Sequence, residues 1–149
     1  MNKKIVWWSL IIVWCAVIFL QSNKPALESM QESGAILNWL NHMLTQVFGV
    51  DKVVVTEGFV RKSAHFIEYF VLGCLIFKGI VNQTRLVKVF LFSWVFGTIY
   101  AITDEIHQYF VPGRAMQVFD MLIDSIGIFL GVLMMIYLIK KKLNIGKAR

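Results

Sequence analysis

Arg61, His65 and Glu68 stand at i, i+4 and i+7, a spacing that puts a guanidinium, an imidazole and a carboxyl on one helical face, which Leu72 continues. Lys62 and Tyr69 fall on the neighbouring face. Further along, Asp104, Glu105, His107 and Gln108 follow Tyr100 by about one turn, with Tyr100, Asp104 and Gln108 on one stripe. Asp120 and Asp124 are again at i and i+4, and their stripe runs on through Gly127 and Gly131. Such residue types suit three kinds of chemistry: binding an anion through Arg61, Lys62 and Arg114, general base catalysis by an oriented His65, and ligation of a divalent cation by His65 and Glu68 with Asp104, Asp120 or Asp124. No HExxH spacing is present and no nucleophile stands out. Ser63 and Ser125 are candidates, although small residues at helix contacts are commoner.

The elements that must carry these groups are membrane spans. Of the 149 residues 58% are hydrophobic and 16% charged, where a soluble domain carries about 25% charged. Runs long enough for a bilayer core lie at about 5–22, 58–77, 86–103 and 118–139. The stretch after the first, Gln21-Ser22-Asn23-Lys24-Pro25, has no small-x-small processing site, so the first run is expected to stay as a helix. Gly79-Ile80-Val81-Asn82-Gln83 separates the second and third spans, and Val111-Pro112-Gly113-Arg114 the third and fourth. Between the first two, about 34–48, Ile36, Trp39, Leu40, Met43, Leu44 and Val47 make an apolar stripe too short to span. It suits a helix in the headgroup layer or a cap over the bundle. The expected fold is all-α: a single multi-pass membrane domain over 1–149, with four spans and a short amphipathic helix.

With four spans both termini share a side. That side holds ten of the 15 basic residues, Lys3, Lys4, Lys78, Arg85, Lys88, Lys140, Lys141, Lys142, Lys147 and Arg149, which makes it cytoplasmic by the positive-inside rule. All nine acids, Glu28, Glu32, Asp51, Glu57, Glu68, Asp104, Glu105, Asp120 and Asp124, fall outside with Lys24, Lys52, Arg61, Lys62 and Arg114. The polar constellation therefore faces outward. The basic residues form no run with interleaved aromatics, so nucleic acid is not an expected partner. Cys15 and Cys74 lie in apolar runs and suggest neither a disulfide nor a thiolate metal site.

Ionisable groups within spans cost a few kcal/mol each, pair inside the bundle and mark functional sites. Arg61 with Asp120, or His65 with Asp124, would satisfy a purely structural ion pair, but at least eight polar groups converge here. His42 and His107 are expected at the surface. A proton or ion pathway is the weakest reading, since the other halves of the spans are apolar apart from Ser93, Thr98 and Tyr137.

Three ordered segments carry a resemblance: Arg61-Lys62-Ser63-Ala64-His65-Phe66-Ile67-Glu68-Tyr69, then Asp104-Glu105-Ile106-His107-Gln108-Tyr109-Phe110-Val111-Pro112-Gly113-Arg114, then Asp120 and Asp124-Ser125-x-Gly127. Over the last three spans the chain resembles the VanZ-like family. The resemblance implies a bacterial cell-membrane protein acting on the cell envelope, with a contribution to resistance against the glycopeptide teicoplanin. It marks Arg61, Lys62, His65, Glu68, Asp104, Glu105, Gln108, Arg114, Asp120, Asp124 and Gly127. Two functions stand against each other. In the first, Arg61, Lys62, Tyr69, Glu105, Gln108, Arg114 and Asp120 bind an extracytoplasmic anionic ligand, a lipid-linked envelope precursor or a lipoglycopeptide. In the second, His65, Glu68, Asp104 and Asp124 catalyse hydrolysis or transfer at a phosphate of an envelope lipid, with or without a metal. No cofactor is implied, and the partners expected are membrane lipids, with a lipid-linked envelope precursor or lipoglycopeptide as the candidate ligand.

Overall fold

The computed structural model describes residues 3–49, 55–81 and 85–147, with side chains over 4–143 outside the gaps. Asp51, Lys52 and Arg149, used in the charge count above, and Asn82 and Gln83 of the expected turn lie outside the described residues.

The described chain is all-α, in the order α1 (Lys3–Ser22), α2 (Ala26–Phe48), α3 (Glu57–Ile80), α4 (Leu86–Tyr109) and α5 (Val118–Lys147). Four helices, α1, α3, α4 and α5, are long and apolar enough to cross a membrane. Their outward faces carry large apolar side chains such as Ile12, Leu20, Val87, Phe92, Ile99 and Leu130. A patch of that extent belongs against lipid rather than water.

The central contact is α3 on α5, with α4 against α5 and α1 against α3. Small residues set its closeness. A Cβ added at Gly127 would stand 2.7 Å from the Phe66 carbonyl oxygen, one at Gly131 2.2 Å from that of Phe70, and one at Gly73 2.6 Å from that of Ile128. The Gly127-x-x-x-Gly131 stripe thus joins two helices of one chain. Leu72, Ile76, Phe77, Val89, Ile128 and Val132 fill the core around it. Polar side chains bridge the helices where hydrocarbon offers no water. Trp94 Nε1 donates to Ser125 Oγ at 3.1 Å, Thr98 and Ser125 share a bond of 3.0 Å, and the Tyr100 hydroxyl donates to the Cys15 carbonyl at 2.7 Å. Both cysteines are free.

Several helices run longer than sequence reading expected: α5 reaches Lys147 instead of 139, and α3 continues through Gly79 and Ile80 of the expected turn. α4 continues past 103 to Tyr109, because Asp104, Glu105 and Gln108 are buried in the bundle instead of ending it. α2 covers 26–48, not 34–48; its polar first half, with Ser33 buried, docks on the end of α3. Its first amide is satisfied from outside the helix, Ala26 N–H donating to the Pro112 carbonyl at 3.2 Å. The expected apolar stripe lies in the second half, where Trp39, Met43, Val47 and Phe48 stay exposed. α2 is therefore a cap at its start and an apolar surface helix at its end. The turn after α4 is a type II β-turn: Arg114 N–H donates to the Val111 carbonyl at 3.1 Å, Pro112 follows as the second residue, and Gly113 takes φ 76° as the third.

Candidate functional site

The last turn of α1, the first half of α2, the first turns of α3 and α5, and the last turns of α4 meet at one end of the bundle. Alternation of direction brings these particular ends together, so residues far apart in sequence share one polar zone. Thr56 opens α3 by accepting a hydrogen bond from Phe59 N–H at 3.2 Å. One turn on, Arg61 and His65 point into the zone.

Three groupings result. The first is a cavity of about 250 Å³, lined by Ser22 of α1, Ser29, Glu32 and Ser33 of α2, Arg61, His65 and Glu68 of α3, and Arg114 of the turn. A second hollow of about 170 Å³ shares Ser29, Ser33 and Arg61 with it. Glu32 is held by an ion pair with Lys24. Arg61, half-buried, makes no hydrogen bond or ion pair among the described residues. Burial, and then the neighbouring Arg61, push the Arg114 guanidinium below its ordinary value, with Asp104, Glu105 and Glu68 opposing. An arginine remains cationic regardless.

The second grouping is a relay of neutral and charged partners. Ser22 Oγ donates to Asp104 Oδ2 at 2.8 Å, Gln108 Nε2 donates to the same oxygen at 3.1 Å, and Arg114 Nη1 donates to Gln108 Oε1 at 2.9 Å. Asp104 thus helps to set Arg114 through Gln108. Lys62 pairs with buried Asp120 at 2.5 Å and lies 4.8 Å from the Phe119 ring centre.

The third is buried, with only His65 reaching the cavity. His65, Glu105 and Asp124 bring one ligand atom each to within 4.8 Å of one another. His65 Nδ1 stands 3.7 Å from Asp124 Oδ1, beyond hydrogen-bond length. Glu105 Oε2 accepts the Gln117 backbone N–H at 2.9 Å.

Several expectations need correcting. Lys62, not Arg61, pairs with Asp120. Adjacent residues differ by about 100° around the helix, and Lys62 has the turn that faces α5. Among the described residues the ligand-type side chains that come close enough together for a cation are His65, Glu105 and Asp124; Glu68 lines the cavity, and Asp104 is engaged by Ser22 and Gln108. His107 is half-buried, its ring 4.7 Å from that of Phe19, whereas His42 is exposed. Tyr69 lies in the core beside Tyr100, with ring centres 6.3 Å apart, and does not line the cavity. Ser125 faces Trp94 and Thr98 of α4. The contributions of Ser22, Ser29 and Ser33 were not anticipated. Their signal is faint: serines at i and i+4 on a helix whose apolar stripe begins only later.

The gathering of Arg-Lys-x-x-His-x-x-Glu, Asp-Glu-x-x-Gln and Asp-x-x-x-Asp at one end of the bundle agrees with a comparison of sequences. A VanZ/LLP1 family model matches residues 7–140. The chain belongs to this family. The match extends beyond the three motif-bearing helices to α1, whose last turn supplies Ser22 to the site. Membership and the four spans together make the chain a VanZ-family membrane protein. No curated protein and no solved structure matches it.

Proposed function

We propose that this VanZ-family protein binds the anionic headgroup of an envelope lipid or amphiphile on the extracytoplasmic side of the cell membrane, with both termini in the cytoplasm. The observation that carries this reading is the pair of guanidiniums lining one cavity, Arg61 without a hydrogen bond or ion pair among the described residues and Arg114 fixed by Gln108. Two like charges lining one half-buried cavity repel, and although Glu68 in the same lining offsets part of this, an anion between them would join both. A phosphate offers the oxygens that two guanidiniums match.

Size narrows the ligand. At about 30 Å³ of liquid volume per water, 250 Å³ holds roughly eight waters, and drug-sized ligands take about 300–1,000 Å³. A phosphate with its first substituents fits; a whole lipoglycopeptide does not, and would engage the site only through a small anionic part. The exposed apolar residues of α2 suit a place at the membrane surface, where the acyl or prenyl part of such a ligand would remain in lipid. Contribution to teicoplanin resistance follows if the headgroup belongs to a precursor that the antibiotic engages, or to the antibiotic itself.

The test is binding of a polyprenyl phosphate to the full chain in nanodiscs of zwitterionic lipid, followed by native mass spectrometry. A charge-assisted hydrogen bond contributes about 1.5–3 kcal/mol, so Arg61→Gln or Arg114→Gln should weaken association roughly ten- to hundredfold. Equal affinity of wild type and both variants, or no preference over the neutral prenol, would refute the reading.

A further inference from the structure

Asp124 and Glu105 are 0% exposed and His65 9%, and they belong to three different helices. Within this group His65 Nδ1, Glu105 Oε1 and both Asp124 oxygens are buried without a hydrogen-bond partner. Proteins leave few such atoms unsatisfied, because each costs about 1–3 kcal/mol, and more when charged. Three groups that hold such atoms and bring one ligand atom each to within 4.8 Å of one another call for something positive between them.

We propose that His65 Nδ1, a Glu105 oxygen and an Asp124 oxygen bind one divalent transition-metal cation of the zinc class. The donor set supports that class: one imidazole and two carboxylates suit zinc and its first-row neighbours, whereas calcium and magnesium take oxygen alone. Distances agree. Donors about 2.0–2.2 Å from a tetrahedral cation stand roughly 3.3–3.6 Å apart; the His65–Asp124 separation is 3.7 Å, and the whole set lies within 4.8 Å. Side-chain movements of about an ångström complete the site.

The scaffold holds each ligand. Gly127 lets α5 approach the backbone of α3 at Phe66, next to His65 and one turn from Asp124. The Gln117 N–H takes one oxygen of Glu105 and leaves the other for the cation, an orienting contact of the kind that metal ligands use. Three protein ligands leave a fourth position open, as in catalytic zinc sites. His65 also lines the 250 Å³ cavity, so the cation lies against the space where a headgroup would bind. There it would add positive charge beside Arg61 and Arg114 and polarise an oxygen of the ligand.

The proposal stands on other atoms than the headgroup reading, and either can fail alone. The experiment uses the full chain without a histidine tag, purified in mild detergent, stripped with chelator and titrated with Zn²⁺ and with Co²⁺ as a spectroscopic substitute. Expected are one equivalent per chain, visible absorption of low-coordinate Co²⁺ that Zn²⁺ abolishes and Mg²⁺ does not, and an affinity lowered at least about tenfold by Glu105→Gln or Asp124→Asn. Glu105→Gln keeps shape and the acceptor for Gln117, so it preserves folding if Asp124→Asn does not. A folded wild type that takes up no Zn²⁺ or Co²⁺ overturns the proposal and leaves ordered water as the filler. So does binding that a folded Glu105→Gln retains unchanged.

Discussion

Gly131→Ala puts the α3–α5 contact to the test with a single methyl group. The new Cβ would lie 2.2 Å from the Phe70 carbonyl oxygen, where ordinary contact begins at 3.4 Å. The shortfall, 3.4 − 2.2 = 1.2 Å, falls on backbone of both helices, which cannot rotate aside as a side chain can. Overpacking costs about 1–3 kcal/mol. With a rigid neighbour the upper part of that range applies, roughly 2–3 kcal/mol, or about 30- to 150-fold in the folded population. The assay is reversible unfolding of the purified chain in mixed detergent micelles. A second readout is the labelling rate of Cys74, whose thiol donates to the Gly131 carbonyl at 3.4 Å, in a Cys15→Ser background. Gly34→Ala is the control: its Cβ would meet Glu57 Oε1 at an ordinary 3.6 Å, and replacing a mid-helix glycine stabilises by about 0.5–1 kcal/mol. Wild-type stability and labelling in Gly131→Ala would refute the close approach, and with it the placement of His65 beside Asp124.

Two other substitutions probe the charged end. Lys62→Met should destabilise the chain by about 1–3 kcal/mol, less than the 3–5 kcal/mol of a fully buried pair because the Lys62 side chain is 31% exposed. Adding Asp120→Asn should recover most of the loss in the same unfolding assay. Expressed in a sensitive Gram-positive host, the wild-type chain should raise tolerance to teicoplanin more than to vancomycin, and Arg61→Ala should abolish the difference while Lys88→Ala, at the opposite end of α4, keeps it. Susceptibility measurements with matched membrane levels check this.

Hydropathy located four helices because each needs an apolar exterior from end to end, whatever its interior does. The same property misplaced the end of α4: a window average counts Asp104, Glu105 and Gln108 as water-facing, although they are enclosed by neighbouring helices. It also missed the start of α2, where Glu28, Glu32 and Ser33 interrupt any apolar rhythm and docking is polar. Periodicity grouped Arg61, His65 and Glu68 correctly on one side, and all three line the cavity. It had no means of choosing Lys62 over Arg61 for Asp120, or Glu105 over Glu68 for the enclosed cluster. Those choices depend on the rotation of one helix about its axis against another, which small residues on both partners decide.

The bonds of α1 and α2 have a consequence for how the chain is made. Trp14 Nε1 reaches the Glu68 carbonyl, Tyr100 reaches Cys15, and Ser22 reaches Asp104, across sequence separations of 54, 85 and 82 residues. The first amide of α2 waits for Pro112. The first helix to leave the ribosome therefore finds its polar partners only once α3 and α4 have been synthesised, and the first amide of α2 only after the turn that follows α4. Until then Trp14, Ser22 and Ala26 carry open donors at or near the bilayer. Contacts of such long range form late. The order of birth and the order of assembly differ in this protein, so a ribosome stalled before Pro112 would leave the start of α2 unanchored and the cavity without Arg114.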